Sequence, residues 1–267
     1  MPVPVIEGWE PANSGGSTVQ SITLTKPLGV QVGDLLLLIV GSDESNSGSW
    51  QDISGWNKIV NYNASSSDAA LGIYWRLADD SEDSTIAVSQ PSGNNDEMFG
   101  WYIRISGVDQ TTPIHILGTP AYSTSKPFTI NQVTTTINDC LAFYAVAHDG
   151  GDAGAFTPTG AGWSEVDEEY SGTGSTDACG TWGTKPMTGI KGDTGSVSMT
   201  YTGTADGSSY VQFVVAPSTG APPGPTPNAF NKLAYVSEPP TPGAWNKVAY
   251  DTEPPTTGLW NKLKYGD

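Results

Sequence analysis

Apolar and polar residues alternate with a period of two through the first 215 residues. In Ser21-Ile22-Thr23-Leu24-Thr25 the apolar side chains sit at 22 and 24, between hydroxyls. Phe99, Trp101, Ile103 and Ile105 alternate with Gly100, Tyr102, Arg104 and Ser106, and stretches 85–89, 196–200 and 210–215 repeat the scheme. Successive side chains of a strand point to opposite faces, so this spacing predicts strands buried on one face. Between them lie Ser/Gly/Asn/Asp clusters at 42–49, 61–68 and 171–177. These favour turns, because Gly reaches positive φ and the short polar side chains bond their own backbone. No window of 12 residues carries a helical stripe, and the expected fold is all-β.

The strand pattern occurs twice. Gly33-Asp34-Leu35-Leu36 aligns with Asn138-Asp139-Cys140-Leu141 at an offset of 105, and Gly55-Trp56 with Gly162-Trp163 at 107. Trp75 falls on Trp182 at 107, and Thr85-Ile86-Ala87-Val88 on Ser196-Val197-Ser198-Met199 at 111. The common order predicts an internally duplicated domain over 1–216, with halves at about 18–108 and 124–216. Two arrangements are open: a small sandwich from each half, or one interleaved sandwich. The join from 109 to 124 is short and lacks linker composition, which favours the single sandwich. The fold expected is thus a jelly-roll-like antiparallel β-sandwich with internal duplication.

The composition changes at 217. Residues 217–228 form a Pro-rich linker, which favours an extended, semi-stiff chain. Residues 229–267 hold three units with a 15-residue period. They contain Phe230-Asn231-Lys232-Leu233-Ala234-Tyr235, Trp245-Asn246-Lys247-Val248-Ala249-Tyr250 and Trp260-Asn261-Lys262-Leu263-Lys264-Tyr265. In an extended conformation the aromatic and Lys share one face, and Asn, the aliphatic residue and Tyr share the other. So short a segment cannot bury both faces alone. The aromatic, Asn, Lys and Tyr of each unit are therefore the candidate partner-binding residues. Aromatics on Pro-rich tethers suit multivalent docking, onto a foreign surface or onto sister subunits. Trp56-Asn57-Lys58-Ile59 in the body resembles the unit.

Charge and composition narrow the classes. The net charge of −17, with 11 Lys+Arg against 28 Asp+Glu, opposes binding to nucleic acid. Apolar runs such as 35–40 are far short of the roughly 20 residues that cross a membrane. The opening Met-Pro-Val-Pro-Val-Ile-Glu has no basic stretch followed by an apolar one, so no signal peptide is expected.

Catalytic candidates are few. His115 lies in an apolar alternating run and reads as structural; His148 precedes Asp149-Gly150-Gly151-Asp152, which reads as a turn with a conceivable metal set. The acidic clusters 79–83, 149/152 and 167–169 read as solvated loops or strand ends, with a weak Ca²⁺ site or a glycosidase pair as the sharper alternatives. Cys140 and Cys179 read as free buried thiols. Trp56, Trp75, Trp101, Trp163 and Trp182 read as core, while Trp9 and Trp50, in turn-rich stretches, are candidates for exposure. No catalytic residue, metal ligand or cofactor is assigned, and an enzyme is not expected.

The ordered set Gly33-Asp34-Leu35, Gly55-Trp56, Tyr74-Trp75-Arg76-Leu77-Ala78, Gly100 to Asp109 and Pro113-Ile114 resembles β-sandwich virion structural proteins of tailed bacteriophages, over roughly 18–216. The resemblance implies a virion protein of the head-decoration, head-fibre or tail-fibre kind, with other virion proteins of capsid or tail as partners. It brings no catalytic residues. By analogy it implies a homo-oligomer such as a trimer, and the alternative is a receptor-binding or cell-surface-glycan-binding adhesin module of a tail fibre.

Overall fold

The computed structural model describes residues 3–43, 49–63, 69–90, 95–150, 155–172, 177–203 and 205–219. The first half contributes β1 (Val5–Asn13), β2 (Ser21–Thr25), β3 (Leu35–Asp43), β4 (Asn57–Asn63), β5 (Ala69–Leu77), β6 (Thr85–Ser89) and β7 (Met98–Ser106). The second contributes β8 (Ile114–Leu117), β9 (Ala121–Ser123), β10 (Phe128–Ile130), β11 (Thr134–Thr135), β12 (Leu141–Asp149) and β13 (Phe156–Thr159). It continues with β14 (Ser164–Tyr170), β15 (Ala178–Pro186), β16 (Gly192–Asp193), β17 (Val197–Tyr201) and β18 (Ser208–Val215).

Strand order explains how the duplication folds. The first half forms a five-stranded sheet, β1-β7-β3-β5-β4, and a two-stranded sheet, β2-β6. The second forms β14-β15-β12-β18-β8, with β9 also on β18, and a smaller sheet β10-β17-β13. Read from equivalent edges the large sheets correspond strand for strand, and all these pairs are antiparallel. In each half the chain passes between a large and a small sheet. Each of these sheets is drawn from one half only, so the halves stand in tandem and do not interleave. β1 joins the first half ahead of the expected boundary at 18, and β8 and β9 occupy the stretch taken as a join.

The central strands explain the packing. β3 carries six consecutive apolar residues, so both its faces need cover. Leu35, Leu37 and Ile39 meet Phe143, Ala145, Trp182 and Phe213 in the core between the two large sheets. Leu36, Leu38 and Val40 point the other way, beneath Ile22, Leu24 and Val88 of the small sheet. The second half repeats this with Tyr144 and Val146 beneath Phe128, Val197 and Met199. The molecule is therefore layered, small sheet on large sheet on large sheet on small sheet.

Turn geometry corrects the internal alignment. Gly55 and Gly162 both have φ of 78°, and Trp56 N–H to Ile53 O recurs as Trp163 N–H to Gly160 O. The register shifts at Lys58/Val60 in β4 and at Glu165/Asp167 in β14, so the bulges share the offset of 107. Before β3 and β12, however, the positive-φ residues are Gly33 and Asp139, an offset of 106. Gly33 N–H bonds Ala78 O and Ala78 N–H bonds Asp34 O; Asp139 N–H bonds Met187 O and Met187 N–H bonds Cys140 O. Asp139 thus does the work of Gly33, and matching the two aspartates by identity slips one residue. Such a slip turns a strand over: Leu35 faces the central core and Cys140 the outer one. Trp182 likewise stands opposite the bulge at Asp167, where Ile73 stands opposite Val60, so it is the counterpart of Ile73 and not of Trp75.

Trp50, expected at the surface, is 1% exposed. Its indole fills the space over Gly72, where an added Cβ would lie 3.1 Å from the ring. Trp101 and Trp182 are fully buried, and Trp56, Trp75 and Trp163 are partly so. Cys140 and Cys179 are buried and not in a disulfide.

Phe99 locks the two large sheets together. An added Cβ at Gly180 would lie 2.5 Å from its ring, and one at Gly41 would lie 2.9 Å from Ala147 Cβ across the core. Gly180→Ala is therefore expected to destabilise the chain by about 1–3 kcal/mol through overpacking. Urea unfolding measures this, and a change below about 0.5 kcal/mol would contradict the packing described.

Candidate functional site

The twelve residues singled out for partner binding, Phe230, Asn231, Lys232, Tyr235, Trp245, Asn246, Lys247, Tyr250, Trp260, Asn261, Lys262 and Tyr265, lie outside the described residues. Within the described body, Asp167, Glu169 and Asp149 are the groups among those the sequence marked that reach across to the other half.

β14 is the divergent copy of β4. Where β4 reads Asn57-Lys58-Ile59-Val60, β14 reads Ser164-Glu165-Val166-Asp167, and Asp167 takes the core-facing position of Val60. Its Oδ2 accepts two indole N–H groups from the other half, Trp9 Nε1 at 2.8 Å and Trp101 Nε1 at 3.0 Å. Trp9 also stands edge-on to Trp182 at 5.7 Å, and Asn13 Nδ2 donates to Glu169 Oε1. The edge strand β1 is thus fastened to the edge strand β14 by carboxylates. The run 167–169 lies inside a strand, not in a solvated loop, where Asp167 supplies the acceptor that the buried Trp101 N–H needs.

On the opposite face of β14, Glu165 and Glu168 are hydrogen-bonded to each other. Glu168 accepts Phe156 N–H at 2.6 Å and Tyr170 OH at 2.5 Å, while Thr181 Oγ1 donates to Glu165 at 2.6 Å. Burial, the largest cause, and the charge of Glu168 push Glu165 up to about 7, against the lowering effect of Thr181. Burial likewise raises Glu169.

A second carboxyl pair joins the middle strands of the facing sheets. Asp43 ends β3, Asp149 ends β12, and their side chains are hydrogen-bonded. Burial first, then the charge and hydrogen bond of Asp149, with Asp96 and Glu97 behind, hold Asp43 well above the usual carboxylate range. Ser209 Oγ reinforces this end by donating to Ala69 O at 2.6 Å.

His148 and Asp149 therefore belong to a buried strand and not to a turn. His148 Nδ1 lies 2.8 Å from Ser208 Oγ, and its ring is 4.3 Å from that of Tyr201. Ser208, 60 residues away, had no sequence signal as its partner. Both are fully shielded from solvent, so this Ser/His contact offers a substrate no approach. His115 lies on β8 beside Thr136. Asp152 lies outside the described residues. Among the described residues no group of three or more His, Cys, Asp or Glu is arranged to hold a metal ion. In each of the Asp43–Asp149 and Glu165–Glu168 pairs, one carboxyl raises the other's affinity for a proton.

The sheet edge that most resembles the repeats is β4. Trp56 stands edge-on to Tyr102 at 5.7 Å, Lys58 pairs with Asp52 at 2.7 Å, and Val60 is 1% exposed.

No known protein family, curated protein or solved structure matches the chain.

Two outcomes follow from the seam. Asp167→Val copies the first half's residue but strands the buried Trp101 N–H, and is expected to cost about 1–3 kcal/mol. Asp167→Asn, which keeps an acceptor oxygen, is expected to cost less; equal losses in thermal melts would contradict the role given to Asp167. Asp43 keeps its proton when folded and loses it above about pH 4 when unfolded. Its stabilising effect is full below that pH and declines as pH rises through neutrality. Asp43→Asn retains a donor to Asp149 without a titrating proton, and should raise Tm at pH 8 by roughly 2–4 °C and weaken the pH dependence. A difference from wild type that does not change between pH 5 and 8 would exclude the shared proton.

Proposed function

We propose that this chain is a non-enzymatic structural protein of a tailed-phage virion, a capsid decoration or a head or tail fibre. Its C-terminal repeats dock it on the particle or on sister subunits. The observation that carries the reading is the regular tail: three aromatic-Asn-Lys-aliphatic-x-Tyr units at a fixed 15-residue period, spaced by Pro-rich connectors. A compact unit ends at Pro222, ahead of all three. Weak docking at each unit multiplies when units are tethered, which suits attachment to a surface of repeated sites.

Two further features support it. The resemblance over 18–216 is to β-sandwich virion proteins, and the described body is built of packed antiparallel sheets, although a fold alone does not carry function. The interior carboxyl pairs and the Ser/His contact are engaged within the body: Asp43 with Asp149 between the halves, Glu165 with Glu168 within β14, and His148 with Ser208 between β12 and β18 of the second half. Of the two aromatic candidates for the glycan-binding alternative, Trp50 is buried, while Trp9 is 37% exposed with its N–H bonded to Asp167.

Co-sedimentation with phage particles lacking the protein tests the reading. Wild type is expected to pellet, a truncation ending at Pro222 to remain in solution, and Trp245→Ala with Trp260→Ala to weaken binding by more than about tenfold. Undiminished pelleting of the truncation would move attachment to the sandwich. Failure of wild type to bind would remove the virion reading.

A further inference from the structure

The manner of docking can be read from β4, on the premise that the repeats are docking units. Trp56-Asn57-Lys58-Ile59-Val60-Asn61-Tyr62 is one residue longer than Trp245-Asn246-Lys247-Val248-Ala249-Tyr250. The register of β4 shifts between Lys58 and Val60, which makes Ile59 the extra residue of a bulge. A bulge sets two residues of one strand opposite one of its neighbour, and alternation resumes on either side. With Ile59 set aside, Trp, Asn, Lys, Val and Tyr coincide in order, and only Asn61 against Ala249 differs.

β4 therefore displays what this string of residues does on a sheet. Asn57, Val60 and Tyr62 stand opposite Trp75, Ile73 and Leu71, and the last five of these six side chains belong to or pack on the central core. Lys58 and Asn61 stand opposite Tyr74 and Gly72, on the other face. There Trp56 meets the Tyr102 ring and Lys58 meets Asp52. β4 has a single strand neighbour, β5, and forms the end of its sheet. The string is an edge-strand sequence: backbone to one neighbour, aliphatic and Tyr to a core, Trp and Lys to an aromatic ring and a carboxylate.

We propose that each C-terminal unit binds by strand addition, lying antiparallel along the open edge strand of a partner β-sheet as β4 lies along β5. The partner edge is apolar on the face that receives the aliphatic residue and Tyr. Its other face carries an aromatic ring for Phe230, Trp245 or Trp260 and a carboxylate for Lys232, Lys247 or Lys262. Main-chain hydrogen bonds supply affinity in this mode, and the alternating side chains supply selectivity. The connectors 236–243 and 251–258 each have eight residues, which span about 25 Å when extended. Successive open edges on the partner surface are accordingly no more than about 25 Å apart, the spacing of repeated copies and not of scattered sites.

Proline placement in the full-length chain tests this, with particles lacking the protein as the probe. Adjacent N–H groups of a strand point to opposite sides, and Pro is tolerated only where its missing N–H would face away from the neighbour. One triple variant is Leu233→Pro, Val248→Pro and Leu263→Pro; the other is Ala234→Pro, Ala249→Pro and Lys264→Pro. Each is compared with a chain carrying Ala at the same positions. Strand addition predicts that one proline set, and not the other, loses about tenfold or more in affinity relative to its Ala control. If both sets match their controls, or both lose equally, the units dock through side chains alone and strand addition is overturned while docking stands. If wild type itself fails to bind, docking and strand addition fall together.

Discussion

The structure depends on burying two apolar sheet faces against each other. Each half supplies a five-stranded layer whose central strand is apolar on both sides, and its own small sheet covers only one of them. The remaining face, built on Leu35, Leu37, Ile39 and Phe99 in one half and on Phe143, Trp182 and Phe213 in the other, finds its cover in the other copy. Neither half is therefore complete alone. Close packing then dictates detail, and glycine stands at 41 and 180 because a larger residue would displace the Phe99 ring or its neighbours.

Polar groups adjust to that burial. The duplication kept its turns and bulges at equivalent positions but let the edge strands β4 and β14 diverge. Lys58 and Val60 on one side correspond to Glu165 and Asp167 on the other, and Asp167 accepts the two indoles that reach it from the first half. Part of the large negative composition thus works inside the protein. Asp43 with Asp149, and Glu165 with Glu168, hold protons between them where two bare carboxylates would repel. Asp43 with Asp149 joins β3 to β12 across the halves, whereas Glu165 and Glu168 are neighbours within β14.

A sandwich of this kind has two sorts of strand. Central strands are read out by packing, whereas an edge strand is a portable element whose backbone needs one neighbour only. The likeness between β4 and the C-terminal units joins these observations: a sequence that closes a sheet in the body has three near-copies in 229–267, separated by Pro-containing stretches.

Much of this was legible in the residues. Period-two alternation assigned the strands because side-chain direction in a strand is local, and the repeated Gly-Trp turn revealed the duplication; the expected single buried face failed in β7 and β18, where the second face is covered as well. The Pro-rich change at 217 marked the end of the body. What the sequence could not specify was long-range. Trp9 meets Asp167 across 158 positions and Ser209 meets Ala69 across 140, and no local pattern encodes which face will cover which. The same limit misplaced Trp50, whose burial depends on the empty space over Gly72, and Asp149, whose partner Asp43 ends a strand of the other half. Even the internal alignment slipped by one residue before β12, because chain identity favoured Asp34 with Asp139 while backbone conformation paired Asp139 with Gly33. Alternation determined the strands; only the mutual burial of two sheets decided their partners, since that choice is made by shape and distance in space and not by neighbours along the chain.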